Sequence, residues 1–263
     1  MKIFLKSALG VIFAAIVIYF APTDIVSVAI FLDWFTLIMP AVAVFVWLKF
    51  AIKLWRLKQY DRLLHILNEE NNPSKFLAEL TNLLDRNPKL TKWTTQATAT
   101  NKALAHLNLG QFDQAAKIWE ELLAEVSGKK SEIIVEHKTI YSLIATNLER
   151  GEIPKARQYC ESLQILTTQK ATPKYLREVF AENVEFYKSQ IAFANGEIEP
   201  FRSICEKKLQ EKQSTREYVE LYFRLAEICE KTGDLAGQRR YLQEVAEKGN
   251  KLYFAEVARR KLA

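Results

Sequence analysis

Glycine and proline are scarce in this sequence, with only 8 and 7 copies among 263 residues. All-β folds use both residues freely in their many tight turns, so this scarcity argues against such a fold. Leu, Ala, Glu and Lys are abundant instead, and these residues favour helices. Because 49% of the residues are hydrophobic, the chain can also bury a sizeable core. The composition therefore predicts a folded, mostly α-helical protein.

Cysteine is also rare, and its spacing fits neither a metal site nor a disulfide framework. Cys160, Cys205 and Cys229 form no C-x-x-C pair and have no histidines nearby to complete a zinc site. Each cysteine falls within a helical pattern of apolar residues. We therefore expect all three to act as small hydrophobic residues in a reducing compartment.

Catalytic signatures are missing as well. The patterns typical of nucleotide-binding loops, zinc peptidases and serine hydrolases do not occur. His65, His106 and His137 are far apart in the sequence, and His106 is expected to fill a core position. A thiol–imidazole pair between His137 and Cys160 is the alternative, but it conflicts with the core position of Cys160. The sequence thus predicts no enzyme, no catalytic or metal-binding residue, no cofactor and no small-molecule substrate.

Positive charge is in excess, but it is concentrated near the start of the chain. Residues 1–62 hold seven Lys or Arg and three Asp, so they carry a surplus of four out of the formal net charge of +6. The rest of the chain is close to neutral, which argues against a basic groove for nucleic acid. A membrane surface explains the N-terminal cluster better.

Two apolar runs, residues 3–21 and 34–52, are each long enough to cross a hydrocarbon core of about 30 Å as a helix. Asp33 would cost about 2.5 to 3.5 kcal/mol at the bilayer centre. We therefore expect the second helix to begin after it, with residues 22–33 as an outer loop. Cations flank the pair on the other side, so the positive-inside rule places both termini in the cytoplasm. The expected protein is therefore a multi-pass protein of the cell membrane with its repeats in the cytoplasm. A cleaved signal peptide is the alternative for the first run, and the second run would then still place the repeats in the cytoplasm.

Four glycines in the remaining chain share one local context. They lie in LGQF (residues 109–112), RGEI (150–153), NGEI (195–198) and TGDL (232–235), at spacings of 41, 45 and 37 residues. Glycine readily adopts the left-handed conformation that ends a helix, and an apolar residue two positions after each glycine can pack back. Ser214 and Glu217 predict a capping box for a later helix. We therefore expect about nine or ten antiparallel helices from about residue 53 to 263, stacked as an α-solenoid.

Positions around the first two glycines follow a family pattern. They are Gly110, Phe112, Ala115, Trp119 and Leu122, then Gly151, Ile153, Ala156, Cys160 and Leu163. The chain therefore resembles the tetratricopeptide-repeat superfamily, in a membrane-anchored bacterial form, over about residues 90–263. The match is poorer in the later repeats, where Phe201 and Gln238 replace the expected alanine, and generic α-solenoid packing is the alternative.

The resemblance and the apolar runs together imply an all-α protein in three parts. Residues 1–52 are a membrane anchor with two transmembrane helices. Residues 53–90 form a helical connector with the N-terminal helices. Residues 91–263 form a tetratricopeptide-like solenoid of antiparallel helix pairs with a C-terminal capping helix.

In such a solenoid, the first helix of each pair lines a concave face. Alignment on the turn glycines places these residues there: Lys138, Tyr141, Ala145 and Leu148 from the second repeat, and Glu220, Phe223, Glu227 and Glu230 from the fourth. The third repeat aligns badly because Lys188 would fall in a packing position, so its register stays open. Some members of the family bind acidic peptides through Lys, Asn and Arg at these positions. The glutamates here favour a ligand with aromatic or aliphatic anchors and some basic character.

These features predict a scaffold that recruits or assembles partner proteins at the cytoplasmic face of the membrane. Its expected contacts are protein or peptide partners and the lipid bilayer, without nucleic acid. The alternative is a peptide-responsive or enzyme-regulating sensor at the membrane.

Overall fold

The computed structural model describes residues 25–86, 92–169 and 172–263, and every regular element in these ranges is a helix. The α-helices are α1 (Ile25–Asn68), α2 (Pro73–Arg86), α3 (Lys92–Asn108), α4 (Phe112–Val126), α5 (Ile133–Glu149), α6 (Ile153–Thr168), α7 (Lys174–Ala194), α8 (Glu199–Leu209), α9 (Thr215–Thr232), α10 (Leu235–Lys248) and α11 (Tyr253–Leu262). A short 3-10 helix, Lys130–Glu132, precedes α5. The chain divides into two compact units, Met1–Tyr60 and Asp61–Ala263. The predicted all-α fold is confirmed.

α1 is a single helix of 44 residues that contains the second predicted membrane run. The prediction of a loop over residues 22–33 is wrong for residues 25–33, which are helical. Asp33 sets no boundary because neither glycine nor proline interrupts residues 25–39. Among the described residues, no helix combines the length and the apolar composition that crossing a membrane requires. The first predicted run, residues 3–21, lies outside the described residues.

The four turn glycines end their helices as the sequence predicts. Their φ angles are 72° at Gly110, 72° at Gly151, 102° at Gly196 and 75° at Gly233, all in the left-handed region. In each turn, the residue after the glycine donates its N–H to the carbonyl five positions earlier, at 2.8 to 3.0 Å. This is the Schellman arrangement, which satisfies carbonyls at a helix end. The four turns are therefore equivalent, and the helices they join form repeated hairpins.

Apolar clusters connect each hairpin to the next. In the first hairpin, Ala115 and Trp119 of α4 are 0% and 1% exposed and belong to a cluster with Leu143 of α5. This confirms the predicted core positions in the stretch of residues 109–122. Further clusters link α5 to α7, α7 to α9, and α9 to α11. Because each hairpin packs on its neighbours, the Asp61–Ala263 unit has a helical-repeat architecture of the α-solenoid type.

α9 begins at the predicted capping box. Ser214 donates its N–H to the Glu217 carboxylate at 2.9 Å, and Glu217 donates its N–H to the Ser214 hydroxyl at 3.3 Å. The two bonds satisfy backbone donors that a helix start leaves free. They therefore determine where α9 begins.

The last helix of the unit returns to the first repeat. Tyr253, at the start of α11, packs edge-on against Phe112 with ring centroids 5.3 Å apart. Its ring also occupies the space beside Gly110, where a Cβ atom would come within 2.5 Å of it. The sequence predicts only a cap on the last repeat, whereas α11 packs on α10 and also contacts the first repeat.

Candidate functional site

The inner helices of the Asp61–Ala263 unit surround a cavity of about 500 Å³. α3, α5, α7 and α9 supply most of its wall, and the end of α1 supplies another part. Lys138, Tyr141, Ala145 and Glu220, which the sequence predicts on the concave face, all line this cavity. Residues from the second and the fourth repeat therefore come together at one site.

The third repeat keeps the register of the second. Asn183 and Phe186 of α7 line the cavity 13 and 10 residues before their turn glycine, at the positions that Lys138 and Tyr141 take before theirs. Lys188 is exposed and lies in a separate groove outside the cavity. In this register Lys188 takes the position of Leu143, which is 0% exposed, so the third repeat has an exposed lysine where the second repeat has a packed leucine.

The fourth repeat departs from this pattern because α11 covers part of α9. Phe223 is 5% exposed and stacks on Phe254 of α11, with ring centroids 4.5 Å apart. Glu227 pairs with Arg224 at 2.9 Å, outside the cavity lining. Leu148 of the second repeat packs half-buried against the core. These three predicted binding residues therefore make internal contacts instead of lining the cavity.

Arg224 is the centre of a buried charge cluster that sequence patterns did not reveal. Its guanidinium forms ion pairs with Glu149 of α5 and with Glu227, and its side chain is 7% exposed. Burial raises the pKa of Glu149, and the positive charge of Arg224 opposes that rise. Burial lowers the pKa of Arg224, but its two carboxylate partners hold it well above the usual value. No local signal marks the pair, because Arg224 and Glu149 are 75 positions apart in the chain.

All three glutamates predicted on the concave face of the fourth repeat have a cationic partner within the chain. The pairs are Glu220 with Arg216, Glu227 with Arg224, and Glu230 with Lys261. Arg216 also pairs with Glu217 and Arg224 also pairs with Glu149, so each arginine is shared between two carboxylates. The expectation of some basic character in the ligand therefore stays a prediction.

Two hydrogen-bond donors in the cavity wall have no acceptor among the described residues. The ammonium group of Lys138 has neither an ion pair nor a hydrogen bond there. The indole N–H of Trp119, a residue that both packs in the core and lines the cavity, is buried without a partner. The exposed ammonium of Lys138 can donate to an acceptor group of a ligand, whereas the indole N–H of Trp119 has no accessible surface.

Aromatic side chains form the neighbouring part of the wall. The rings of Tyr141 and Tyr187 stack with their centroids 6.2 Å apart. Burial raises the pKa of Tyr141 to about 12 and that of Tyr187 well above its usual value. Both hydroxyls therefore stay protonated and neutral at physiological pH. The wall combines aromatic faces with a few polar groups, as ligand-binding pockets commonly do.

The side chains considered for chemistry lie in the core. His137 stacks on Phe180 with ring centroids 3.4 Å apart, and burial lowers its pKa to about 4, so it is neutral at pH 7. His106 is buried, as predicted. The three cysteines are free and buried, which confirms their predicted core positions, and burial raises the pKa of each thiol. Within residues 25–86, 92–169 and 172–263, no group of three or more His, Cys, Asp or Glu side chains could hold a metal ion.

Comparison of the chain with protein-family models, with curated proteins and with solved structures finds no match.

Proposed function

We propose that the protein is a non-enzymatic binding module that captures a short segment of a partner protein in the cavity of its Asp61–Ala263 unit. The observation that carries this proposal is a cavity wall built from separate repeats, in which aromatic side chains lie beside the exposed ammonium of Lys138, and this ammonium has no partner among the described residues. A polypeptide segment offers a carbonyl oxygen at every residue. Ligand pockets commonly measure roughly 300 to 1,000 Å³, so a cavity of about 500 Å³ suits a few residues of a partner.

The side chains of the cavity wall indicate which kind of segment would bind. Tyr141, Phe186 and Leu104 line the cavity and suit an aliphatic or aromatic side chain. Lys138 suits a carbonyl or carboxylate oxygen next to that side chain. Some basic character in the ligand stays part of the proposal, because Arg216 and Arg224 are each shared between two carboxylates.

A tetratricopeptide-like relationship belongs to the same proposal. The four equivalent glycine turns support it, as does the full burial of Ala115 at the small-residue position of the first hairpin. Stacked hairpins of this kind present concave surfaces that bind other proteins.

Attachment to a membrane is the second part of the proposal, with the module acting as a scaffold on the cytoplasmic side. Large apolar side chains of α1 support it, because they are exposed in the described part of that helix: Met39, Val42, Val44, Phe45, Val46, Trp47, Leu48, Phe50 and Leu54. Apolar surface exposed over a stretch of helix marks an interaction with a partner or a membrane. Holding the module on a surface raises its effective concentration for partners on that surface.

Alkaline carbonate washing of membranes from expressing cells tests this attachment. The full chain should stay in the pellet, and a chain that starts at Asp61 should move to the supernatant. Release of the full chain by carbonate would contradict membrane anchoring without affecting the proposal for the cavity.

The site also fits a second candidate, a peptide-responsive or enzyme-regulating sensor. The end of α1 closes the cavity on one side, so a bound segment would touch several elements at once. A sensor should change its conformation when the segment binds, which hydrogen exchange of α9 and α11 would reveal. A scaffold should bind without such a change.

Site-specific photocrosslinking in intact cells tests the binding role. A photoreactive phenylalanine analogue replaces Tyr141, which lines the cavity, or Tyr175, which is 74% exposed and lies outside it. The Tyr141 position should yield a discrete partner peptide by mass spectrometry, and the matched Tyr175 position should not yield the same one.

The substitution Lys138→Met connects the crosslink to the cavity. It removes a charged donor while keeping most of the apolar side chain, so the yield at position 141 should fall at least about tenfold. An unchanged yield, or the same peptide from both positions, would contradict capture in the cavity.

A further inference from the structure

A line of polar contacts closes the Asp61–Ala263 unit on itself. Residues 68–71, at the end of α1 and just after it, contact residues 215–216 at the start of α9 and residues 248–251 between α10 and α11. We call these contacts the seam. Residues on its two sides are up to 180 positions apart in the chain.

The half of the seam toward α9 is also part of the cavity wall. Arg216 donates from Nε to Asn68 Oδ1 at 3.1 Å. Thr215 donates from its backbone N–H and its hydroxyl to Glu69 Oε2, at 3.3 and 2.7 Å. Asn68, Glu69 and Arg216 all line the cavity, so parting the seam here would open the cavity from the side.

The other half of the seam holds the same segment to the C-terminal hairpin. Asn71 donates from Nδ2 to the Lys248 carbonyl at 2.8 Å and accepts from the Lys251 N–H at 3.1 Å. Asn250 donates from Nδ2 to the Glu70 carbonyl at 2.7 Å. These contacts keep residues 68–71 in place beside α9.

The bonds of the seam differ in kind from the contacts between successive hairpins. Buried apolar clusters join successive hairpins, and exposing such a cluster to water removes its hydrophobic stabilisation. The seam bonds at Glu69 and Asn250 are exposed, whereas those between Arg216 and Asn68 and between Asn71 and Lys248 are partly buried. Exposed hydrogen bonds exchange for bonds to water at small net cost. Local opening in folded proteins takes place where such contacts hold an edge together.

We propose that the seam is a gate, which parts to admit a segment of polypeptide into the cavity while the apolar clusters stay intact. The gate rests on the proposed function, since it controls access to that binding site. Its opening can nevertheless be measured without any partner.

Thiol labelling of the full chain tests the gate. The substitution Asn183→Cys places a thiol on the cavity wall, where the residue is half-buried. A small maleimide reports access for a small organic molecule, and a maleimide attached to a polymer chain reports passage of a chain-like molecule. Peptide mass spectrometry separates the new thiol from native Cys205, which is 0% exposed and reports global unfolding.

Two adjacent substitutions provide the comparison. Glu69→Ala removes the acceptor of both Thr215 bonds across the seam. Glu70→Ala removes the same charge, but its carboxylate bonds only to Lys75 and His65 on its own side. We expect Glu69→Ala to speed polymer labelling at position 183 about fivefold or more, the factor that loss of one ordinary hydrogen bond produces. Glu70→Ala should leave the rate within about twofold, since surface pairs stabilise little.

Asn250→Gly extends the test to the other half of the seam. Glycine tolerates the φ of 44° at this position, so the substitution removes the bond to Glu70 without adding backbone strain. It should also speed polymer labelling at position 183 while labelling of Cys205 stays slow.

Three results would overturn the gate. One is an unchanged polymer rate in both seam variants. Another is a parallel rise at Cys205, which would mean general loosening. A third is polymer labelling in the parent as fast as small-maleimide labelling, since the cavity would then be permanently open. Failure of Lys138→Met to affect partner capture would instead contradict the binding function and leave the gate standing.

Discussion

The guanidinium of Arg224 on α9 forms a buried ion pair with the carboxylate of Glu149 on α5, and so joins the fourth repeat directly to the second. In an open stack of hairpins, each repeat contacts only its neighbours. Here the pair crosses the inside of the unit next to Phe223 and Phe254, where the guanidinium lies 5.0 Å from the Phe254 ring centroid. The inner helices are therefore fixed relative to each other by more than nearest-neighbour packing.

Breaking this pair from one side should be costly. Arg224→Met leaves the Glu149 carboxylate buried without its main partner, and the free energy of unfolding should fall by about 3 to 5 kcal/mol in urea titrations. The double variant with Glu149→Leu should recover part of that loss, because the second buried charge is then gone. Lys155→Met, which removes the exposed Lys155–Glu120 pair, is the control and should cost less than about 1 kcal/mol. Equal losses in the single and double variants would contradict coupling between the two residues.

His137 should make the unit less stable in mild acid. Its pKa is about 4 in the folded protein against 6.5 for the unperturbed side chain, because burial disfavours the charged form. Below pH 6.5 the unfolded chain takes up a proton that the folded chain does not, so stability falls as the pH drops toward 4. The total loss is about 3 kcal/mol.

The substitution His137→Phe isolates this effect. Phenylalanine keeps the stacking on Phe180 but cannot titrate. The stability difference between parent and variant, measured by chemical denaturation at several pH values, should change between pH 6.5 and 4 and stay constant above that range. A constant difference over the whole range would show that His137 does not titrate as described.

Burial separates the aromatic residues into two groups. Trp119→Ala and Phe223→Ala should each cost about 3 to 5 kcal/mol, since these side chains are 1% and 5% exposed in apolar clusters. Ala115→Leu should cost about 1 to 3 kcal/mol through overpacking at a fully buried site.

Tyr141→Ala, at the half-buried cavity wall, should cost less stability and should reduce partner capture. Thermal melts and crosslinking yields distinguish the groups, and a Phe223→Ala variant with an unchanged melt would contradict its place under α11.

The contact between Gly110 and Tyr253 should appear as a difference between two glycine substitutions. Gly110→Ala and Gly151→Ala meet the same φ of 72°, which costs a side chain about 1 to 2 kcal/mol. Nothing lies within 4 Å of a Cβ at Gly151, whereas a Cβ at Gly110 must displace the Tyr253 ring. Gly110→Ala should therefore be the more destabilising of the two by chemical denaturation, and it should raise hydrogen exchange in α11. Equal effects would mean that Tyr253 yields without loss.

Local signals account for what could be predicted of the fold. The turn glycines, the capping box at Ser214 and the buried positions Ala115 and Trp119 depend on residues within one or two helical turns, so the sequence displays them directly. The cost of Asp33 in a bilayer predicts that the helix begins after residue 33, and this prediction is wrong because α1 includes residues 25–33. Local backbone signals, with no glycine or proline to interrupt residues 25–39, predict continuous helix there.

The residues of the candidate site also differ in whether local signals predict them. Lys138, Tyr141 and Glu220 could be placed on the concave face because helical periodicity and the distance to a turn glycine define a face of each helix. Phe223 and Glu227 satisfy the same periodicity, yet Phe223 is covered by α11 and Glu227 is paired with Arg224. Periodicity specifies which face a residue is on, but it does not specify what covers that face.

The sequence by itself determined the helices, the hairpin turns and the inward faces of the repeats, because hydrophobic periodicity and glycine conformation act over a few residues. Only the tertiary structure decided that the stack closes on itself into a cavity. That closure depends on pairs such as Asn71 with Lys248 and Gly110 with Tyr253, which lie more than a hundred positions apart in the chain. Whether such residues meet depends on the rotation between successive hairpins, added over all the hairpins between them. No local sequence pattern specifies that total rotation.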